Sequence, residues 1–180
     1  MTRTPDTTAL RAADLHLRPW EDADADTLTA LLADPEIRRW SSRRIDDRDA
    51  ALHWIATQRT NRATGELLSY AVLADGLIAG HIALKRPGGT GPTAEVGYWT
   101  AAPARGRGLA TRALTLLSAW ALSPADGPAL TRLELIHNAA NPASCHVARK
   151  AGFPLESTLP PRPPHPAEGH LHARTRPAPE

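Results

Sequence analysis

Two alternating apolar runs, Leu68-Ser-Tyr-Ala-Val-Leu73 and Leu77-Ile-Ala-Gly-His-Ile-Ala-Leu84, are separated only by Ala74-Asp-Gly76. A period of two is the period of a strand, and a short connection carrying Asp-Gly is a hairpin signal. Strands joined this tightly run antiparallel, so the chain cannot build a purely parallel, doubly wound sheet. Around this hairpin the pattern alternates. Leu15 to Pro19 reads as a first strand. Asp22 to Ala33 fits a short helix with Leu28, Leu31 and Leu32 inward. Asp46 to Arg62 fits a second helix, with acidic residues at its positive end and Gly65 beyond its last turn. The spacing predicts further strands at 94–101 and 130–137 and a long helix over 106–122. Leu109, Ala113, Leu116, Leu117 and Trp120 form the apolar stripe of that helix. Asn141-Pro142 opens a short helix that Gly152 closes. A strand follows at 153–158, and another is possible at 169–174. The class is mixed α/β, within one domain over 14–175. Residues 1–13 are expected to be a flexible leader, 160–168 an irregular proline-rich loop and 176–180 a mobile tail.

Composition excludes several functions. Lys and Arg total 21 against 19 acidic residues, a formal charge of +2, and aromatics make up 4%. That leaves little for phosphate-backbone neutralisation or base stacking, so no nucleic-acid partner is expected. The start lacks the apolar run of a signal peptide, and no stretch approaches the roughly 18 apolar residues of a membrane helix. A cytoplasmic protein without a membrane partner is the expectation. Cys145 is the one cysteine, which excludes an internal disulfide and a cysteine-rich zinc site.

The central segment Ala104-Arg-Gly-Arg-Gly-Leu-Ala-Thr-Arg-Ala-Leu114 carries the chemistry. It alternates two glycines with two arginines at the start of a helix, and Arg112 follows one turn later. A helix start offers unpaired N–H groups and the positive end of the dipole, and glycine lets a ligand approach the main chain. The guest is an anion, a phosphate or pyrophosphate. Gly108 is followed by Leu109 rather than Lys-Ser/Thr, so this is no nucleoside-triphosphate loop. Thr111 stands where a dinucleotide fingerprint would have its third glycine.

Arg105-x-x-Gly108-x-Ala110 resembles the acyl-CoA pyrophosphate loop of the GNAT N-acetyltransferase superfamily. Leu17-Arg-Pro-Trp20, Glu95-Val-Gly-Tyr-Trp-Thr100, Asn141-Pro-Ala-Ser144 and Arg149-Lys-Ala-Gly-Phe153 resemble other parts of that family, in its order. The similarity covers residues 14–158 and is nearest to the ribosomal-protein N-terminal acetyltransferase branch (RimJ/RimL-like). It implies a GNAT fold: a mixed sheet splayed between its fourth and fifth strands, with about four helices. It implies acetyl-CoA as co-substrate, no metal, and direct attack on the thioester by a primary amine, either a protein N-terminus or a small molecule. A monomer or homodimer is implied. The alternative is an acyl-CoA-binding regulatory module with little turnover.

Carried onto this chain, the family pattern gives the pantetheine arm to the strand backbone at Tyr98, Trp99 and Thr100. The pyrophosphate falls to Arg105, Gly106, Arg107, Gly108, Leu109, Ala110 and Thr111. Asn138 and Asn141 are placed to reach the arm or the thioester. Glu95 is the candidate to take the ammonium proton, directly or through water; an arginine ion pair is the competing reading. Many relatives use a late-helix tyrosine as the acid, but that position holds Ala148. The resembling branch gives the role to a serine at Ser144, which could also be a first-turn cap. Trp40 could wall the acceptor site or belong to the core. Arg38, Arg39, Arg43 and Arg44 form a solvated face or attract an acidic acceptor or the coenzyme's 3′-phosphate. Cys145 and His146 are neighbours but point about 100° apart on a helix and form no dyad by adjacency. A metal among His165, His170 and His172 is conceivable, yet the expectation is no metal. His81 and His137 are expected to be hydrogen-bonded sheet residues.

Overall fold

A computed structural model describes residues 9–41, 43–162 and 166–177. The chain order is β1 (Leu10–Ala12), β2 (Leu15–Arg18), a 3-10 turn (Asp22–Asp24), α1 (Ala25–Leu32), α2 (Pro35–Trp40), α3 (Arg48–Thr64), β3 (Leu67–Ala74), β4 (Leu77–Lys85), β5 (Thr93–Thr100), α4 (Leu109–Leu122), β6 (Arg132–Asn138), α5 (Pro142–Lys150), β7 (Leu155–Leu159) and β8 (Gly169–Thr175). The strands form one eight-stranded sheet in the order β1-β2-β3-β4-β5-β6-β8-β7. Only β5 and β6 pair in parallel.

The two faces follow strand parity. Tyr70, Val72, Ile82, Leu84 and Val96 pack with Leu109, Leu114 and Leu117 of α4 and Ala148 of α5. Ala71, Leu73 and Trp99 pack on the other face, with Leu28 and Leu32 of α1 and Trp54 and Ile55 of α3. Leu114 and Leu117 are wholly buried.

Four expectations are corrected. Residues 10–12, placed in the flexible leader, form an edge strand: Leu10 pairs with Leu17 and Ala12 with Leu15, across a turn in which Ala13 has φ 50°. The strand over 93–100 is therefore the fifth, not the fourth. The segment after Pro35 is helical, because Asp34 accepts the Glu36 N–H at 2.8 Å and proline at a first helical position starts a helix as readily as it ends one. The long helix starts at Leu109 rather than Gly106: Gly106 and Gly108 have φ 75° and 71°, outside helical space. The C-terminal strand reaches Thr175 and lies inside the sheet, between β6 and β7.

One buried ion pair locks the first turn of the helical layer to β2. Arg18 clamps Asp24 through two bonds of 2.7 and 2.8 Å. Burial pushes the Asp24 carboxyl up, but the Arg18 guanidinium and the Glu21 N–H outweigh it and hold the group below the usual carboxylate range. A depressed acid contributes stability that is present above its unfolded value, near 3.9, and lost as pH falls through the folded one. Asp24→Asn is expected to cost about 2–3 kcal/mol in urea unfolding at pH 7, by leaving the part-buried Arg18 with only the Pro19 carbonyl at 3.0 Å and the Glu21 carboxylate at 3.8 Å. The difference from wild type should shrink in strong acid; a constant difference at every pH would contradict the assignment.

Candidate functional site

β5 and β6 pair only at Thr93–Arg132, Ala94–Leu133 and Glu95–Glu134. Beyond that point β5 continues against β4 as far as Thr100–Gly80, while β6 pairs with β8 along its whole length. The strands therefore part. A cleft of about 940 Å³ opens there, between β5, α2, the 105–112 loop and the first turn of α5.

Its anion end is built by the glycines. Gly106 and Gly108 turn the chain through left-handed space, which a side chain resists, and a Cβ at either would meet nothing within 4 Å. Gly108 caps α4 without a side chain, and the first turn holds no acidic residue. Arg112 N–H already bonds Gly108 O at 3.1 Å. Helix geometry leaves the N–H groups of Leu109, Ala110 and Thr111 without intrahelical acceptors. Arg43, Lys85, Arg105, Arg112 and Lys150 also line the cleft, so its potential suits a polyphosphate.

The loop arginines differ from expectation. Each is engaged: Arg105 with Asp34 at 2.6 Å, Arg107 with Asp75 at 2.7 Å, and Arg112 with Asp14. Arg107 does not line the cleft, whereas Arg105 and Arg112 do. The unpaired main-chain N–H groups are thus the uncommitted donors at this end of the cleft, while Arg105 and Arg112 are shared with carboxylates.

Tyr98, Trp99 and Thr100 line the cleft along the unpaired edge of β5. Trp99 stacks on His81 with centroids 5.7 Å apart, and Trp20 lies 6.2 Å from Trp99. Burial, reinforced by the Arg43 and Lys85 charges, pushes the His81 imidazole down to about 3. Its Nδ1 accepts from Trp20 Nε1 at 3.1 Å. It is a neutral wall residue and a weak base, the hydrogen-bonded sheet histidine the sequence suggested. Trp40 lines the cleft too, with its Nε1 donating to Glu36 at 2.7 Å.

On the other face of β5, the Tyr98 hydroxyl donates to Ser144 Oγ at 3.2 Å. Ser144 is not the helix cap: Asn141 Oδ1 takes the Ser144 N–H at 3.1 Å. This leaves the Ser144 hydroxyl proton free to point into the cleft. Burial pushes the Tyr98 phenol up, against the lowering effect of the Ser144 bond, so the phenol stays protonated as a donor. The late-helix position at Ala148 is buried. The tyrosine beside the serine comes from a strand instead.

Two candidates lie elsewhere. Asn138 does not line the cleft; its Oδ1 accepts Ala140 N–H at 2.8 Å and its carbonyl accepts Asn141 N–H at 2.9 Å, closing the turn into α5. Glu95 lies outside the lining and pairs with Lys85 Nζ at 2.6 Å. It shares the parity of Gly97 and Trp99, which do line the cleft. Lys85 stands between Glu95 and the cleft wall. The ion pair foreseen for Glu95 is therefore present, with a lysine in place of an arginine.

Sequence reading missed His81, Lys85, His146 and Lys150 in the lining. Register gives the first two: His81 sits opposite Trp99 and Lys85 opposite Glu95, so they share that face. Cys145 and His146 diverge as expected. His146 lines the cleft, while Cys145 turns to His170 at 3.2 Å and His172 at 3.5 Å. His165 lies outside the described residues.

Comparison with known proteins gives a consistent picture. A model of the acetyltransferase (GNAT) domain matches residues 14–154. No curated protein matches the sequence. Solved structures match over nearly the whole chain. One is the Microcin C7 self immunity acetyltransferase MccE in complex with acetyl-CoA and AMP, at TM-score 0.84 and 17% identity, covering 97% of this chain and 99% of that one. A putative ribosomal-protein-serine acetyltransferase from Vibrio cholerae gives 0.81 and 23%, with the same coverage of 97% and 99%. RimJ of Mycobacterium smegmatis in complex with CoA-disulfide gives 0.81 and 23%, covering 93% and 85%. At these identities the likeness establishes the fold.

Proposed function

The chain belongs to the GNAT acetyltransferase family, and from that premise we infer that it is an acetyl-CoA-dependent N-acetyltransferase acting on a primary amine. The single observation carrying this reading is the continuous cleft that joins a positive helix start to a hydroxyl pair. Its length suits a coenzyme whose charged and reactive ends lie far apart. The pyrophosphate goes to the N–H groups of residues 106–111, with Arg105 and Arg112 beside it. The pantetheine arm adds amide bonds to the free edge of β5 at Tyr98–Thr100, and Asn141 stands at the thioester end. Acetyl-CoA complexes among the structural neighbours support this cofactor.

The amine attacks the thioester carbonyl, a C–N bond forms, and the C–S bond breaks to release a thiolate. The Ser144 hydroxyl, polarised by Tyr98, donates to that sulfur or to the carbonyl oxygen before it. The incoming ammonium must first lose a proton. Glu95 can take it only through water, from the rim where Lys85 holds it. Glu95→Gln is therefore expected to lower turnover about fivefold to tenfold while the coenzyme affinity stays the same. Equal turnover across the pH range would remove Glu95 from the mechanism.

The acceptor is a protein N-terminus or a small-molecule amine, received between Trp40, His81 and Trp99. Ribosomal-protein acetyltransferases among the neighbours favour the protein N-terminus. Tyr98 supplies a hydroxyl beside Ser144, which favours turnover over the binding-only alternative. No helix among the described residues is long and apolar enough to cross a membrane, in keeping with a cytoplasmic enzyme. The test is thiol release from acetyl-CoA across a panel of peptides with varied N-termini, polyamines and aminoglycosides. Tight coenzyme binding with no thiol released for any acceptor would restore the binding-module reading.

A further inference from the structure

Behind α5, on the side away from the cleft, three histidines and the cysteine converge. His137 lies near the end of β6, Cys145 sits in α5, and His170 and His172 face it from β8. One ligand atom from each of the four lies within 4.8 Å of every other. Cys145 Sγ is 3.2 Å from His170 Nδ1 and 3.5 Å from His172 Nε2. Ligands of a tetrahedral zinc ion stand about 3.5 Å apart when one is sulfur, which follows from Zn–S near 2.3 Å and Zn–N near 2.0 Å.

The protonation states suit a metal. His172 Nδ1 lies 3.0 Å from Phe153 O and His137 Nδ1 lies 2.8 Å from Asn138 O. A carbonyl oxygen only accepts, so each Nδ1 carries the proton and each Nε2 carries the lone pair. This backbone-carbonyl support is the usual arrangement behind metal-bound histidines. His172 is fully buried. The His137 Nε2 is buried and has no hydrogen-bond partner. Hydrogen bonds can satisfy the thiol against His170 and His172, but they leave that nitrogen orphaned, which a native protein avoids. A metal ion removes the anomaly.

We propose that His137, Cys145, His170 and His172 form a structural transition-metal site, best suited to Zn2+, that ties β6, α5 and β8 together. Sulfur with three imidazoles selects zinc over magnesium or calcium. Four protein ligands leave no open position, so the ion is structural and takes no part in acyl transfer. Binding releases the Cys145 proton to solvent while the imidazoles bind neutral. The ion fixes the N-terminal half of α5, and with it Ser144, one residue from the ligand.

The full-length protein, stripped with chelator and dialysed, is titrated with Zn2+ against a chromophoric chelator and, separately, with Co2+. The expected result is about one equivalent bound per chain and a melting temperature raised by Zn2+. Cobalt should give a near-ultraviolet thiolate charge-transfer band and intense tetrahedral visible bands. Cys145→Ser should abolish the charge-transfer band and weaken zinc binding at least tenfold, to judge by about 10–100-fold losses for milder changes around a metal. Replacement of the exposed His53 by alanine should change neither. His172 is buried and its variants can fail to fold, so the partly exposed Cys145 and His170 carry the test. Zinc binding no stronger than in Cys145→Ser, or a cobalt complex without the thiolate band, overturns the site. None of these readouts depends on acetyltransferase activity.

Discussion

Replacing Gly108 with valine is expected to abolish acetyl-CoA binding while the protein stays folded. Gly108 has φ 71°, and a Cβ there meets nothing within 4 Å. A non-glycine residue in that conformation costs about 1–2 kcal/mol, which a domain of this size tolerates. Gly108 lines the cleft, so the new side chain competes with a ligand for the space beside the first turn of α4. Blocking two charge-assisted hydrogen bonds at about 1.5–3 kcal/mol each removes about 3–6 kcal/mol, or about 100-fold to 10⁴-fold in affinity. Calorimetry with acetyl-CoA reads the loss, and a thermal melt monitors the fold. Unchanged affinity would refute the loop assignment. Gly80 supplies the contrast. A Cβ there would collide with the Trp99 carbonyl, where β4 and β5 press together, so Gly80→Ala should damage the sheet itself.

Ser144→Ala should lower kcat about 100-fold and leave the coenzyme Kd unchanged. The methyl side chain keeps the helix, because Asn141 and not Ser144 caps it. What is lost is a donor whose effect appears as the sulfur gains charge. Tyr98→Phe should fall between this variant and wild type, since it removes the bond that polarises the serine but keeps the serine. A Ser144→Ala enzyme with full kcat would leave the leaving thiolate to water alone.

Much of this arrangement was legible in the chain. The hairpin at 74–76, the alternation in β3 to β5 and the stripe of α4 are local patterns, and local patterns survive folding. The glycine pair before α4 pointed to an anion-binding helix start, although the helix was expected to begin at Gly106 and starts at Leu109. What escaped was of two kinds. Short elements with ambiguous signals were missed: Pro35 reads equally as a stop or a start, and Leu10–Ala12 is too brief to show a period. Partners distant in sequence were invisible as well. Asp34 meets Arg105, Lys85 meets Glu95, and Tyr98 meets Ser144, yet no spacing rule joins them. Glu95 and Asn138 had suitable chemistry and parity, but a neighbouring lysine and a turn engage them first.

Sequence by itself determined the longer elements, their order and the glycine-rich approach to α4, because hydrophobic period and backbone freedom act over a few residues. Only the tertiary structure decided where β5 and β6 part, which hydroxyl stands beside Ser144, and that Cys145 faces histidines 25 and 27 residues away. Those outcomes depend on strand register and the insertion of β8 between β6 and β7, and register is set by packing across the whole sheet.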